Sequence, residues 1–133
     1  MSDLREKIQR TIESEPVVAF IKGTHEQAYC GNSARAMDAL RAVGASFTAV
    51  DVLPDPKIRQ ELSALSSWPT IPQVFVGGEL VGGADIVQEL AATGELEVKL
   101  NEKLGESWRR PGEERTVAVS AGSGFRLLPG SPG

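Results

Sequence analysis

The stretch VVAFIKGTHEQAYCGNSARAMDALRAVG, residues 17–44, decides the fold of this chain. It begins with a continuous apolar run, Val17–Ile21, of the kind found in a strand covered on both faces. A polar loop follows over residues 22–29. From Cys30 onward, apolar residues recur at helical spacing until Gly44. The stretch therefore predicts a buried strand, a loop and a helix, with a cysteine where the loop becomes the helix.

The flanking sequence repeats this alternation of helix and strand. An amphipathic helix ends before Pro16, a second strand is expected over residues 47–52, and Asp55-Pro56 is typical of a helix start. Residues 73–81 predict a hairpin around Gly77-Gly78, and two helices are expected over residues 85–93 and 95–104. Strands joined through a helix should be parallel. The order predicts an α/β chain with a thioredoxin-like fold, a four-stranded mixed sheet flanked by helices.

Composition narrows the function classes. The 133 residues carry 14 Lys and Arg against 18 Asp and Glu, a net charge of −4. A mildly acidic chain without a basic block is a poor candidate for nucleic acid, and no apolar run is long enough for a membrane span. The N-terminus lacks the apolar segment of a secretory signal. A single cysteine excludes an intramolecular disulfide and favours a reducing cytoplasm.

Composition changes near Leu104. Residues 105–133 contain 6 Gly, 4 Ser and 3 Pro, which are turn and linker residues. A short strand is conceivable from Thr116 to Val119. We expect a domain over residues 1–104 and a mostly disordered tail over residues 105–133, because such a composition buries little apolar surface. The alternative is a partner-binding arm, with Arg109-Arg110 and residues 125–128 as contacts.

Cys30 is the principal candidate for chemistry. It opens a helix, where unsatisfied backbone N–H groups and the helix dipole favour a thiolate. A buried structural cysteine is the alternative. Its neighbours, Tyr29 and Gly31-Asn32-Ser33, resemble an exposed turn, and loops at the carboxyl ends of strands form the usual ligand crevice of α/β sheets. We therefore predict a functional thiol, which must borrow an outside thiol for any disulfide chemistry.

Four sequence blocks resemble a known family. They are Lys22-Gly23-Thr24, Cys30-Gly31-Asn32-Ser33, Trp68-Pro69-Thr70-Ile71-Pro72-Gln73 and Gly82-Gly83-Ala84-Asp85-Ile86. In this order they resemble the monothiol glutaredoxins of the CGFS type, over about residues 3–102. The resemblance implies a thioredoxin fold, glutathione binding, and a 2Fe–2S cluster carried between two protomers. It also implies BolA-like proteins, the iron–sulfur assembly machinery and client proteins as partners.

The resemblance also implies roles for particular residues. Lys22 and Arg59 resemble a clamp on the glycyl carboxylate of glutathione, although Lys and Arg are more often solvated surface charges. Pro72 would be cis, directing the backbone of Ile71 toward the ligand; the alternative is a trans proline ending a loop.

The fourth block would receive the γ-glutamyl end. Gly82-Gly83 would permit a backbone kink into the helix expected over residues 85–93, which Ala84 and Asp85 would begin. The helix start would hold the γ-glutamyl carboxylate, and Asp85 the ammonium. Asp85 also suits a plain N-cap.

A 2Fe–2S centre normally takes four thiolate ligands. One chain supplies Cys30 and one bound glutathione supplies a second thiolate. Two chains complete the set, which predicts a homodimer bridged by the cluster.

The chain departs from the family pattern at Asn32, where CGFS proteins have phenylalanine. A polar amide would leave the cluster more open to water. The loop before Cys30 carries His25 and Tyr29. His25 is expected to be a solvated loop residue, with iron ligation or base catalysis as the alternative. Tyr29 is expected either to cover the site or to pack within the loop.

Three functions remain open from sequence. The first is a carrier of a glutathione-ligated 2Fe–2S cluster. The second is a glutathione-dependent thiol–disulfide oxidoreductase, an enzyme that removes glutathione from mixed disulfides without a stable cluster. The third is a non-catalytic adaptor that docks partners through its tail.

Overall fold

The structure, a computed structural model, describes residues 3–119 and the backbone of residues 126–127. These residues form five helices, α1 (Asp3–Ser14), α2 (Gly31–Ala42), α3 (Pro56–Ser66), α4 (Ala84–Thr93) and α5 (Glu95–Leu104). They also form six strands, β1 (Val17–Ile21), β2 (Phe47–Asp51), β3 (Gln73–Val76), β4 (Glu79–Gly82), β5 (Glu114–Ala118) and β6 (Arg126–Leu127). The predicted order of elements is confirmed up to Leu104.

The strands form one mixed sheet in the order β4-β3-β1-β2-β5-β6. β1 and β2 are parallel, and β3 and β4 form the predicted antiparallel hairpin. The thioredoxin-like core is therefore confirmed. Among the described helices, none is long and apolar enough to cross a membrane.

β1 lies at the centre of the molecule, and all five of its residues are buried. Because successive side chains of a strand point to opposite faces, β1 contributes to two cores. Val17, Ala19 and Ile21 pack with α2, α4 and α5, whereas Val18 and Phe20 pack with α1 and α3. This two-sided burial explains why the sequence of β1 is continuously apolar.

The sheet is wider than the predicted four strands, and the predicted tail differs from the structure over residues 105–119. β5 pairs in parallel with β2, and β6 pairs with β5. Trp108, Val117 and Val119 are buried, and the indole Nε1 of Trp108 donates a hydrogen bond to Asn101 Oδ1 at 2.8 Å. The sequence-based prediction rested on the average Gly, Ser and Pro content of the segment, which does not show that these few apolar residues are buried. The rest of the tail, including most of segment 125–128 from the partner-binding alternative, lies outside the described residues.

β5 covers an edge of β2 that would otherwise present unpaired backbone N–H and C=O groups. Side-chain contacts hold β5 in place in addition to its backbone hydrogen bonds with β2. Arg41 on α2 forms a bidentate pair with Glu114, and Arg115 pairs with Glu15. Residues 105–119 are therefore part of the folded domain.

We expect deletion of residues 105–133 to lower the midpoint of thermal unfolding. Losing three buried apolar side chains, each contributing roughly 1.5–3 kcal/mol, corresponds to a decrease of roughly 15–35 °C at about 3–4 °C per kcal/mol. Trp108→Ala should reproduce part of the decrease, and Trp108→Phe, which keeps most of the apolar area, should reproduce less. Circular dichroism would measure the midpoints. An unchanged midpoint after deletion would show that β5 adds nothing to stability.

Candidate functional site

Cys30 is the N-cap residue of α2, directly after the loop that follows β1. Its thiol is half-buried, and its Sγ accepts a hydrogen bond from the backbone N–H of Ser33 at 3.4 Å. The Ser33 hydroxyl lies 3.6 Å from the same sulfur. A helix N-terminus with two donors aimed at a thiol is an environment that stabilises a thiolate.

Burial by itself raises the pKa of the Cys30 thiol, but the surrounding groups outweigh it. Hydrogen bonds from the backbone and hydroxyl of Ser33, a hydrogen bond from the backbone of Asn32, and the positive charge of Lys22 together lower the pKa below its usual value. The predicted functional thiol is therefore placed in an activating environment. The alternative of an inert buried cysteine does not fit this geometry.

Ser33 also connects the thiol to the sheet. Its side chain is fully buried, and its Oγ accepts a hydrogen bond from the backbone N–H of Lys22 at 3.0 Å. Lys22 directly follows β1, so this contact fixes the start of α2 relative to the central strand. The sequence motif contained Ser33, but its supporting role was missed; its position three residues after an N-cap was the available signal.

A groove of about 270 Å³ runs beside the start of α2. Residues from three segments that are distant in sequence line it: Asn32, Trp68, Thr70, Ile71, Pro72, Gly83, Ala84, Asp85 and Ile86. Five of the predicted binding residues therefore lie together. The Ile71–Pro72 bond is cis, as the family resemblance implied.

The loop that contains Pro72 is fixed by a buried amide. Gln73 Nε2 donates hydrogen bonds to the carbonyl oxygens of Trp68 at 2.9 Å and Thr70 at 3.2 Å. Gln73 is fully buried, so water does not compete for these contacts. This support was not foreseen from sequence, although a glutamine beginning an apolar strand was a visible anomaly.

The far wall of the groove is the start of α4. Gly83 is its N-cap, without a side-chain cap, so backbone N–H groups of the first turn face the groove end. At Gly82, φ is 149°, and an added Cβ would lie 2.9 Å from Cβ of Ile86. A side chain at Gly82 would therefore push the first turn of α4 out of place.

The two predicted clamp residues lie outside the groove lining. Lys22 acts on Cys30 through its charge. Arg59, on the exposed side of α3, donates from Nη2 to the carbonyl oxygen of Pro69 at 3.3 Å. Both therefore flank elements of the site, the first beside the thiol and the second beside the Pro72 loop.

The loop before Cys30 is anchored by the C-terminal segment. The backbone N–H of His25 donates to Thr116 Oγ1 at 2.8 Å, and Nδ1 of its ring lies 2.7 Å from the same oxygen. His25 therefore has a structural partner on β5. Tyr29 is 65% exposed, and its ring edge lies against Gly23.

A larger pocket of about 370 Å³ lies around Glu15, Phe47 and Glu114. Its carboxylates already have partners, since Glu15 pairs with Arg115 and Glu114 with Arg41. The groove beside Cys30 is therefore the better candidate, because it combines a reactive thiol with open backbone donors.

Comparison with known proteins agrees with this geometry. The glutaredoxin family pattern matches residues 17–81. The chain is 48% identical over 102 residues to "Glutaredoxin 4" of Escherichia coli K12, covering 77% of this chain and 89% of that protein. It is 45% identical over 96 residues to "Probable monothiol glutaredoxin 2" of Rickettsia typhi, covering 72% and 86%. The chain belongs to the monothiol glutaredoxin family.

Solved structures of glutaredoxins have the same fold. A truncated monomeric mutant of Trypanosoma brucei 1-C-Grx1 superposes with a TM-score of 0.68 at 44% identity, covering 77% of this chain and 92% of that one. A buckwheat glutaredoxin–glutathione complex superposes with a TM-score of 0.66 at 29% identity, covering 74% and 88%.

Ser33→Ala should raise the pKa of the Cys30 thiol, because the hydroxyl contact that favours the thiolate is lost. The rate of alkylation by iodoacetamide should then reach its half-maximum at a higher pH. Ser107→Ala, which removes an exposed hydroxyl elsewhere, is the control. A pH profile unchanged in Ser33→Ala would mean that the helix start alone activates the thiol.

Proposed function

We propose that this monothiol glutaredoxin binds glutathione and carries a 2Fe–2S cluster in the maturation of iron–sulfur proteins. The observation that supports this most directly is a lone thiol with a lowered pKa beside a groove lined by the cis-Pro72 loop and the start of α4. The buckwheat relative, whose complex with glutathione is known, places the same fold in contact with this ligand.

In this proposal glutathione lies along the groove with its sulfur toward Cys30. The backbone of Ile71 pairs with the cysteinyl residue of the ligand, as an added strand would. The first turn of α4, at Ala84 and Asp85, receives the γ-glutamyl group. Lys22 and Arg59 attract the glycyl carboxylate.

The chemistry of the available donors fits a shared cluster. Among the described residues, no group of three or more His, Cys, Asp or Glu side chains is placed to hold a metal. A single chain therefore supplies one thiolate, Cys30, and two chains with two glutathione molecules supply the usual four. The cluster is the cargo, and Cys30 and the glutathione groove are what this chain contributes to holding it.

The proposal defines the partners by the same chemistry. A second copy of the chain completes the ligand set, and BolA-like proteins, assembly proteins and client apoproteins would exchange the cluster with it. A reducing cytoplasm suits this role, because Cys30 must remain a free thiol.

A second candidate function is glutathione-dependent removal of glutathione from mixed disulfides. The lowered pKa of Cys30 and the polar Asn32 beside it favour this reaction. The Cys30 thiolate attacks the glutathione sulfur, the client thiolate leaves and takes a proton, and Cys30 becomes glutathionylated. Because Ser33 cannot resolve this disulfide, a second glutathione thiolate attacks it and releases oxidised glutathione.

Reconstitution with iron, sulfide and glutathione distinguishes the two functions. A carrier should acquire visible absorbance and a dimeric mass, and Cys30→Ser should lose both while keeping its far-UV circular dichroism, since the half-exposed N-cap position tolerates serine. A colourless protein that still deglutathionylates a peptide would favour the enzyme. A cluster retained by Cys30→Ser would refute Cys30 as a ligand.

Lys22→Ala and Arg59→Ala should each weaken glutathione binding, by about 1.5–3 kcal/mol for a lost charge-assisted contact and less where solvent screens it. Calorimetry at low and high salt would measure the loss, which salt should reduce. Lys99→Ala, an exposed charge on α5, is the control. Equal affinities in all three variants would contradict the clamp.

A further inference from the structure

Arg35 joins the two helices that bound the end of the groove. It lies in the first turns of α2, three residues after Asn32, and therefore on the same helix face. Its Nη1 donates to Asn32 Oδ1 at 2.7 Å, and its Nη2 pairs with Asp85 in α4. Its Nε and Nη2 also donate to Gln88 Oε1, at 3.0 and 2.7 Å. Two of these partners, Asn32 and Asp85, line the groove itself.

The pair of Arg35 and Asp85 remains accessible. The side chains are 40% and 89% exposed, so the carboxylate in particular faces solvent. An exposed ion pair contributes little to stability, because solvent screens it. Its position at the end of the groove gives it a more specific use than folding.

We propose that Arg35 is a specificity-determining residue: beside the γ-glutamyl site that the proposed function places at Ala84 and Asp85, its guanidinium adds a contact to the α-carboxylate of the ligand. This inference rests on the proposed function. The ligand carboxylate binds Arg35 and the N–H groups at the start of α4, and the ligand ammonium binds Asp85.

The number of donors and acceptors permits both contacts without breaking the ion pair. Arg35 has five N–H donors, and its contacts with Asn32, Asp85 and Gln88 use four, which leaves one at Nη1 for a ligand oxygen. Asp85 meets Arg35 through Oδ1, so Oδ2 is available to an ammonium. The Arg35–Asp85 pair and the γ-glutamyl head of the ligand are each neutral overall, so binding leaves no unbalanced charge.

Asn32 positions Arg35 in this arrangement. Its side-chain carbonyl accepts the Nη1 hydrogen bond, which a phenylalanine at this position has no oxygen to accept. The departure from the CGFS pattern therefore supplies a hydrogen bond that holds the guanidinium next to two residues of the groove lining, Asn32 and Asp85.

The test measures how fast Cys30 forms mixed disulfides with two symmetrical disulfides. The first is oxidised glutathione; the second is the disulfide of 4-aminobutyryl-Cys-Gly, which lacks only the α-carboxylate. In both reactions the Cys30 thiolate displaces one thiolate from the S–S bond, and intact mass follows the product. The readout is the rate constant for oxidised glutathione divided by the rate constant for the analogue. Changes in the reactivity of Cys30 affect both rate constants and therefore cancel in this ratio.

Arg35→Gln should lower this ratio by about tenfold, as expected for loss of a charge-assisted contact. Asn32→Ala, which keeps Arg35 but removes its hydrogen-bond partner at residue 32, should lower the ratio by a smaller factor. Arg110→Gln removes the same charge from an exposed ion pair with Glu113 and should leave the ratio unchanged. With the disulfide of glutaryl-Cys-Gly, which lacks only the ammonium, Asp85→Asn should lower the corresponding ratio.

A ratio that is unchanged or increased in Arg35→Gln would overturn the inference, because Arg35 would then be a surface charge or a competitor for Asp85. Failure of the proposed function has a different signature. Wild-type protein would then react with oxidised glutathione no faster than with 2-hydroxyethyl disulfide.

Discussion

The contact between Ser33 and the end of β1 is the constraint on which the site depends. One buried hydroxyl accepts the N–H of Lys22 and lies beside the sulfur of Cys30. Because β1 is buried on both faces, it cannot shift without disturbing both cores. Through Ser33, the position of Cys30 is therefore fixed relative to the sheet, although Cys30 directly follows a loop.

The same position explains why the chemistry must be intermolecular. A cysteine at residue 33 would lie close enough to resolve a disulfide, whereas serine supplies only hydrogen bonds. Compared with a Cys-x-x-Cys motif, serine at this position keeps the hydrogen bonds that support the Cys30 thiolate but lacks the second thiol. Both candidate functions consequently require an outside thiol, and the groove beside Cys30 is where such a thiol would be held.

Sequence predicted the core of this fold because its signals are local. The apolar run of β1, the Asp55-Pro56 helix start and the Gly77-Gly78 turn each specify their element without help from distant residues. The cis bond before Pro72 could be expected only through family resemblance, since the local sequence permits either isomer. Gathering Ile71, Gly83 and Asp85 into one groove likewise followed from the family and not from spacing.

The C-terminal segment and the Arg35 contacts were missed for one physical reason, namely that both depend on partners far away in sequence. Thr116 gains its role from His25, 91 positions earlier, and Arg35 meets Asp85 across 50 positions. The average Gly, Ser and Pro content of residues 105–133 cannot show that β2 has an edge open for pairing. Similarly, Arg35 seen in the sequence alone resembles any solvated charge on a helix. Both sets of contacts reach the loop and the helix that flank Cys30, so the features least visible in sequence are those that hold the surroundings of the thiol in place.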